Sequence, residues 1–219
     1  MVKYNFRCLV FDMDGTLVQT IQLICDSFNH VAEKYAHRRY SAQEIIALFG
    51  PPEEDVVRAI VGEERTDEAM EEYLKYYRSR HKKCAKLHHG MDKILERCKE
   101  QNKILAVFTG KGRETTKITL EECGIEKYFD MVVTGDDVKN HKPSSEGLKM
   151  IMERYSLKPE ETLMVGDAPV DVQAAHSAGV KIAAVVWDSY AKDVMVQLPA
   201  DFLFHSVKEF QQWLDEEMR

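Results

Sequence analysis

The segment FDMDGT, residues 11–16, sets two carboxylates two positions apart, where an apolar run gives way to a turn. Burying carboxylates without partners is costly, so these groups should meet a cation or take part in a reaction. Asp12, open at a strand end, can attack phosphorus and split a transfer into two steps through an aspartyl phosphate. Asp14, aimed by the turn at the same bound group, can protonate the leaving oxygen and later take a proton from water. Surroundings that separate the two pKa values would let the pair divide these roles. Gly15 permits the tight turn between them and Thr16. Further along, Thr109 and Gly110 offer a hydroxyl and backbone amides to phosphate oxygens. Lys142 offers a point cation for the nucleophile and the moving phosphoryl group. Asp12, Asp14 and Asp167 would crowd negative charge unless a hard divalent ion accepted oxygen ligands, and Mg2+ fits that need. Asp171 follows about one helical turn beyond Asp167 and faces the same way. It is assigned a place just behind the metal, or beside a water bound to it.

The elements that must position these groups follow from periodicity. Residues 7–11 form a short apolar strand candidate. Ile21, Ile24, Phe28, Val31 and Tyr35 then recur at helical spacing, which predicts a helix. Further helices are predicted over 42–49 and 67–81. Gly50-Pro51-Pro52 breaks between them, and the acids that follow suit a helix N-terminus. From about residue 18 to 88 the pattern contains helix and no clear strand. Beyond His88-His89-Gly90 the texture changes. Apolar runs at 104–108, 131–134, 162–166 and 180–187 alternate with helical patterns near 113–123, 145–155 and 169–178. That alternation predicts the α/β class, a parallel sheet wrapped by helices and joined by the first strand. Open sheets of this kind bind ligands beyond the carboxyl ends of their strands. Asp12 and Asp14, Thr109 to Lys111, Lys142, and Asp167 all fall there.

Other features point to less. His88 and His89 diverge in direction and read as a linker. The run Arg78, Arg80, Lys82, Lys83 and the acidic stretch 215–217 read as solvated surface. The five cysteines are odd in number, and no pair is spaced by two residues, so free thiols are expected. The formal net charge of −7 over 219 residues gives no electrostatic support for nucleic-acid binding. No apolar run approaches the length of a membrane span. The segment before the first strand is short for a leader, so a cytoplasmic protein is expected, either monomer or homodimer.

These motifs, in this order, resemble the haloacid dehalogenase superfamily, in particular its small phosphatases with a helical cap. The resemblance rests on Asp12 to Thr16, Thr109, Lys142 before Pro143, and Gly166 to Asp171, and it covers nearly the whole chain. It implies a doubly wound, Rossmann-like core over 1–17 and 89–219 with an inserted α-helical cap over 18–88. It implies catalysis by Asp12, Asp14, Thr109 and Lys142, with phosphate held by Thr109, Gly110 and Lys142. It implies Mg2+ bound by the carboxylates of Asp12 and Asp167 and by the Asp14 carbonyl. Gly50 and Pro51 stand where related phosphoglycolate phosphatases and pyrophosphatases carry a specificity loop, and Lys111 is expected to face substrate.

Two departures from the family pattern stand out. Gln19 replaces an acid that many relatives carry, and Lys111 and Arg113 add cations near the phosphate loop. Asp14 argues against a dehalogenase or phosphonatase. The expected activity is Mg2+-dependent hydrolysis of a small phosphate monoester resembling phosphoglycolate. The alternatives are pyrophosphate hydrolysis, with Lys111 and Arg113 holding a second phosphate, and then a sugar-phosphate mutase. A phosphate-binding regulator would have lost one of these groups, and none is missing.

Overall fold

The computed structural model describes residues 4–217. In chain order, β1 (Cys8–Phe11) leads to the two-residue β2 (Val18–Gln19) and then to four helices: α1 (Ile21–Ala36), α2 (Ala42–Ile46), α3 (Glu53–Val61) and α4 (Thr66–Cys84). The chain returns through β3 (Lys86–Leu87) to α5 (Met91–Glu100), β4 (Ile104–Phe108), α6 (Arg113–Cys123), β5 (Met131–Val133) and α7 (Glu146–Tyr155). It ends with β6 (Thr162–Gly166), α8 (Pro169–Ala178), β7 (Lys181–Val185), α9 (Lys192–Met195), β8 (Phe202–Phe204) and α10 (Val207–Glu217).

Six strands form one parallel sheet in the order β5-β4-β1-β6-β7-β8. Successive side chains of a strand point to opposite faces. Leu9 and Phe11 therefore join α5, α6 and α10 on one side, while Cys8 and Val10 join α7 and α8 on the other. Both faces are covered, which is why these strands read as unbroken apolar runs.

The register decides where the chemistry sits. Phe11 lies opposite Val107 of β4 and Val165 of β6. The strands thus run out together, and the residues just past their ends become neighbours. Asp12, Thr109 and Asp167 share one edge for this reason.

The helical insertion leaves and rejoins the core at that same edge. Val18 pairs with Leu87 and Gln19 with Lys86 in a short antiparallel ribbon. This corrects the expectation of no strand between 18 and 88; two-residue strands are too short to leave a period. Within the insertion α1 packs against α3 and α4, and α4 reaches α6 of the core, where the Tyr77 hydroxyl lies 2.9 Å from Thr119 Oγ1. The apolar cluster on the α5 and α6 face continues through Leu23, Phe28, Tyr73 and Tyr77 into the insertion. The helix expected over 42–49 is only Ala42–Ile46, opened by Ser41 and Glu44 in a reciprocal cap. The helix expected over 67–81 extends to Thr66–Cys84. The sheet does not close with β7, since β8 adds a sixth strand. No helix among the described residues is long and apolar enough to cross a membrane.

Candidate active site

Asp12 continues the β1 ladder, its amide donating to the Val165 carbonyl at 2.8 Å. The side chain then emerges at the sheet edge. Lys142 Nζ donates to Asp12 Oδ1 at 2.6 Å and to Asp171 Oδ1 at 2.7 Å, with all three groups buried. Burial pushes the Asp12 carboxyl up to about 6, with Lys142 opposing and Asp171 adding to the rise. Lys142 is held above its usual range, because Asp12 and Asp171 outweigh the desolvation that would lower it.

Asp167 is fully buried. Thr16 Oγ1 donates to its Oδ1 at 2.8 Å, while Oδ2 has no hydrogen-bond partner. Burial, then Asp12 and Asp171, drive its pKa well upward. Gly15 has φ +84°, and a Cβ there would stand 2.5 Å from Asp167 Oδ2. Only glycine lets the turn carrying Asp14 come this close. Carboxylate oxygens of Asp12, Asp167 and Asp171 lie within 4.8 Å of one another. An orphaned buried oxygen amid three acids is the donor set a hard divalent cation takes. The two oxygens of Asp171, however, are committed to Lys142 and to the Ala168 amide. It sits beside Asp12 and fixes Lys142.

Asp14 sits across from Asp12. Thr20 Oγ1 donates to Asp14 Oδ1, and Lys111 Nζ lies 3.4 Å from Oδ2. Burial raises the Asp14 pKa, and Lys111 and the Thr20 hydroxyl only partly counter this. A carboxyl with a raised pKa can carry a proton to a leaving oxygen. Thr109 is buried at the end of β4, and its Oγ1 accepts from the Lys111 amide at 3.2 Å. Gly110 follows in the loop before α6.

Above these groups lies a cavity of about 110 Å³. Its floor holds Asp12, Asp14, Thr109, Gly110, Lys111, Lys142 and Asp171; Gly50, Pro51 and Glu53 reach it from the insertion. The expected substrate-facing residues Lys111, Gly50 and Pro51 thus all line it. At one side the rings of Phe49 and Tyr190 meet edge-on, with centroids 5.7 Å apart.

Three groups were not anticipated from sequence. Thr20 holds Asp14, and its only signal is a hydroxyl just before α1. Tyr190 has no motif. Glu53 looked like a helix-dipole acid but is buried: its oxygens accept from the Gly112 amide at 2.6 Å and Thr115 Oγ1 at 2.7 Å, and Oε1 lies 3.0 Å from Lys111 Nζ. Arg113 corrects an expectation in the other direction. It does not join Lys111 to hold a second phosphate, because its guanidinium is exposed and bound to Asp137 at 2.6 Å. His88 and His89 do not converge either: His88 is buried at the junction and His89 is exposed.

A family model for haloacid dehalogenase-like hydrolases matches residues 9–185. The pyrophosphatase PpaX of Halalkalibacterium halodurans is 35% identical over 205 residues, covering 94% of this chain and 95% of that protein. PpaX of Anoxybacillus flavithermus is 32% identical over the same shares. Among solved structures, a predicted phosphoglycolate phosphatase from Haemophilus somnus superimposes with a TM-score of 0.85 at 23% identity, over 96% of this chain and 98% of that one. That structural likeness establishes a shared fold. The matched span runs from β1, with Asp12 at its end, through Asp167 to β7, and on that match this chain belongs to the haloacid dehalogenase-like hydrolase family.

Proposed function

We propose that this hydrolase removes the phosphoryl group of a small phosphorylated metabolite through an aspartyl phosphate on Asp12, with Mg2+ bound. The observation that carries the reading is the pairing of Asp12 with Lys142 at 2.6 Å on the floor of a cavity that also holds Asp14. Lys142 keeps Asp12 ionised and aimed. Its charge, with the Thr109 hydroxyl and the Gly110 amide, supports the phosphoryl oxygens. Asp12 attacks phosphorus as the bond to the leaving oxygen breaks, and Asp14 gives that oxygen its proton. Asp14 then takes a proton from water, which attacks the same phosphorus, frees phosphate and restores Asp12. The Asp12 and Asp167 carboxylates and the Asp14 carbonyl would hold Mg2+. Bound there, the ion supplies positive charge against the phosphoryl oxygens.

Residues 18–88 act as a lid over a core formed by 1–17 and 89–219. Both ends of the insertion emerge beside the reacting edge, so closing it excludes water and strengthens the electrostatics inside. A closed lid favours small esters over phosphoproteins or nucleic-acid ends. A phosphoglycolate-like ester is one reading of the substrate. Pyrophosphate is a second, favoured by the name of the relatives at 35% and 32% identity. The test is a panel of phosphorylated metabolites, with Mg2+ and with chelator, reporting kcat/KM for each. Hydrolysis that is equal without divalent metal, or faster on phosphopeptides than on any small ester, would overturn the proposal.

A further inference from the structure

The cavity has two unlike halves. Besides the charged groups, Ile21, Ile24, Phe28, Leu48, Phe49 and Val56 from the insertion give it an apolar wall. Among the described residues, only two cations line the cavity, Lys111 and Lys142, and both are taken. Lys142 serves Asp12 and Asp171. Lys111 stands between Glu53 and Asp14. The first arginine after the Gly50-Pro51-Pro52 loop, Arg58, is tied to Glu54, Asp55 and Glu63 on the insertion's surface. Four carboxylates (Asp12, Asp14, Glu53 and Asp171) line the cavity with those two ammonium groups, and with Asp14 carrying its proton three remain against two. A divalent cation with a doubly charged phosphoryl group adds no net charge to that balance. Lys111 has no exposed face left: its ammonium also lies 4.8 Å from the centre of the Tyr77 ring. That ammonium is buried and lies 3.0 Å from Glu53 Oε1.

We infer that the substrate's leaving group is uncharged and largely apolar, and that Glu53 sets this choice by neutralising Lys111. A second phosphate or a carboxylate would enter a pocket with no free cation, against an apolar wall and surplus negative charge. Desolvating an anion without a partner is costly, and rejection by such unpaired groups is a strong source of specificity. An alkyl group fits the apolar lining. Glu53 does not touch the reacting atoms; it acts through Lys111 as a specificity-positioning residue. The inference rests on the phosphatase reading above and narrows its substrate class away from phosphoglycolate and pyrophosphate.

The experiment compares kcat/KM for n-butyl phosphate, 2-phosphoglycolate and pyrophosphate with Mg2+, in the wild type and in Glu53→Gln. p-Nitrophenyl phosphate serves as a general phosphatase substrate. The wild type should favour n-butyl phosphate over phosphoglycolate by about tenfold or more. Glu53→Gln releases Lys111 and should shift that ratio about tenfold toward the anionic substrates, chiefly through their KM. A merely structural Glu53 would lower all three together, and that outcome overturns its role. The wild-type ranking needs no variant: equal or better turnover of phosphoglycolate or pyrophosphate overturns the charge argument. If p-nitrophenyl phosphate is turned over while the anionic esters win, only this inference fails. If no phosphate ester is turned over, the phosphatase reading fails and this inference goes with it.

Discussion

Gly110 lies directly beneath Gly50: a Cβ on Gly110 would stand 2.8 Å from the Gly50 carbonyl oxygen. One glycine belongs to the phosphate-binding edge of the core and the other to the loop of the insertion, so the lid rests backbone to backbone on the catalytic loop. No flexible side chain can yield there. Gly110→Ala should therefore lift the loop by a few tenths of an ångström or more. Misplacements of this order can cost up to about a hundredfold in rate. The expected result is a loss of about tenfold or more in kcat/KM for the best small ester, with a smaller loss for p-nitrophenyl phosphate, which depends less on lid contacts. Equal losses on both would mean that the contact does not govern closure.

The nucleophile is tested by Asp12→Asn. An amide cannot form the acyl phosphate, so turnover should fall to background while the thermal unfolding midpoint stays near that of the wild type. With substrate labelled in its phosphoryl group and an acid quench early in a single turnover, the wild type should carry that group on Asp12 and the variant should carry none. Turnover with no protein-bound phosphoryl group at any quench time would mean direct attack by water.

Much of this site was legible because parallel strands buried on both faces announce themselves. Residues 104–108 and 162–166 are unbroken apolar runs, and their register brings Thr109 and Asp167 to Asp12 without any further information. What stayed hidden depends on contacts distant in sequence. Glu53 reads as an ordinary acid at a helix start until α6 supplies Gly112 and Thr115 to bind it. Arg113 reads as a ligand cation until Asp137 draws it outward. Helix α5 is an addition to the helices predicted from periodicity, although Met91, Ile94, Leu95 and Cys98 carry a clear helical period. The strand Phe202–Phe204 is a three-residue sheet edge, too short for a pattern.

Metal binding should be measurable without turnover. Isothermal titration of Mg2+ into the wild type should give a saturable signal that chelator reverses. Asp167→Ala should remove it, because the unpartnered Oδ2 is the group freest to bind. Asp171→Ala should weaken it less, since both oxygens of Asp171 serve Lys142 and the Ala168 amide. Equal losses would place Asp171 among the ligands.

His88 should make the fold acid-sensitive through the junction between insertion and core. The ring is 6% exposed, packs edge-on to Trp187, and has no hydrogen-bond partner for Nε2. Burial pulls its pKa down from 6.5 to about 4, partly opposed by a hydrogen bond with the Gly15 backbone. Asp188 lies 3.7 Å from Nε2 and would favour the charged ring, but burial raises that carboxyl's own pKa, so it loses charge as acid is added. The folded state therefore holds a neutral ring where the unfolded chain is already protonated. Since the unfolded state then binds more protons, stability must fall as pH falls. The contribution of the neutral ring is complete above about pH 6.5 and is lost progressively toward pH 4. Denaturant unfolding of the wild type and of His88→Gln, measured at intervals from pH 7.5 to 4, isolates this from the carboxylates common to both. The wild type should lose stability more steeply than the variant within that window, with up to about one extra proton taken up on unfolding. Parallel curves would mean that folding leaves the His88 pKa unchanged, and a wild type that gains on the variant as pH falls would mean a protonated ring paired with Asp188.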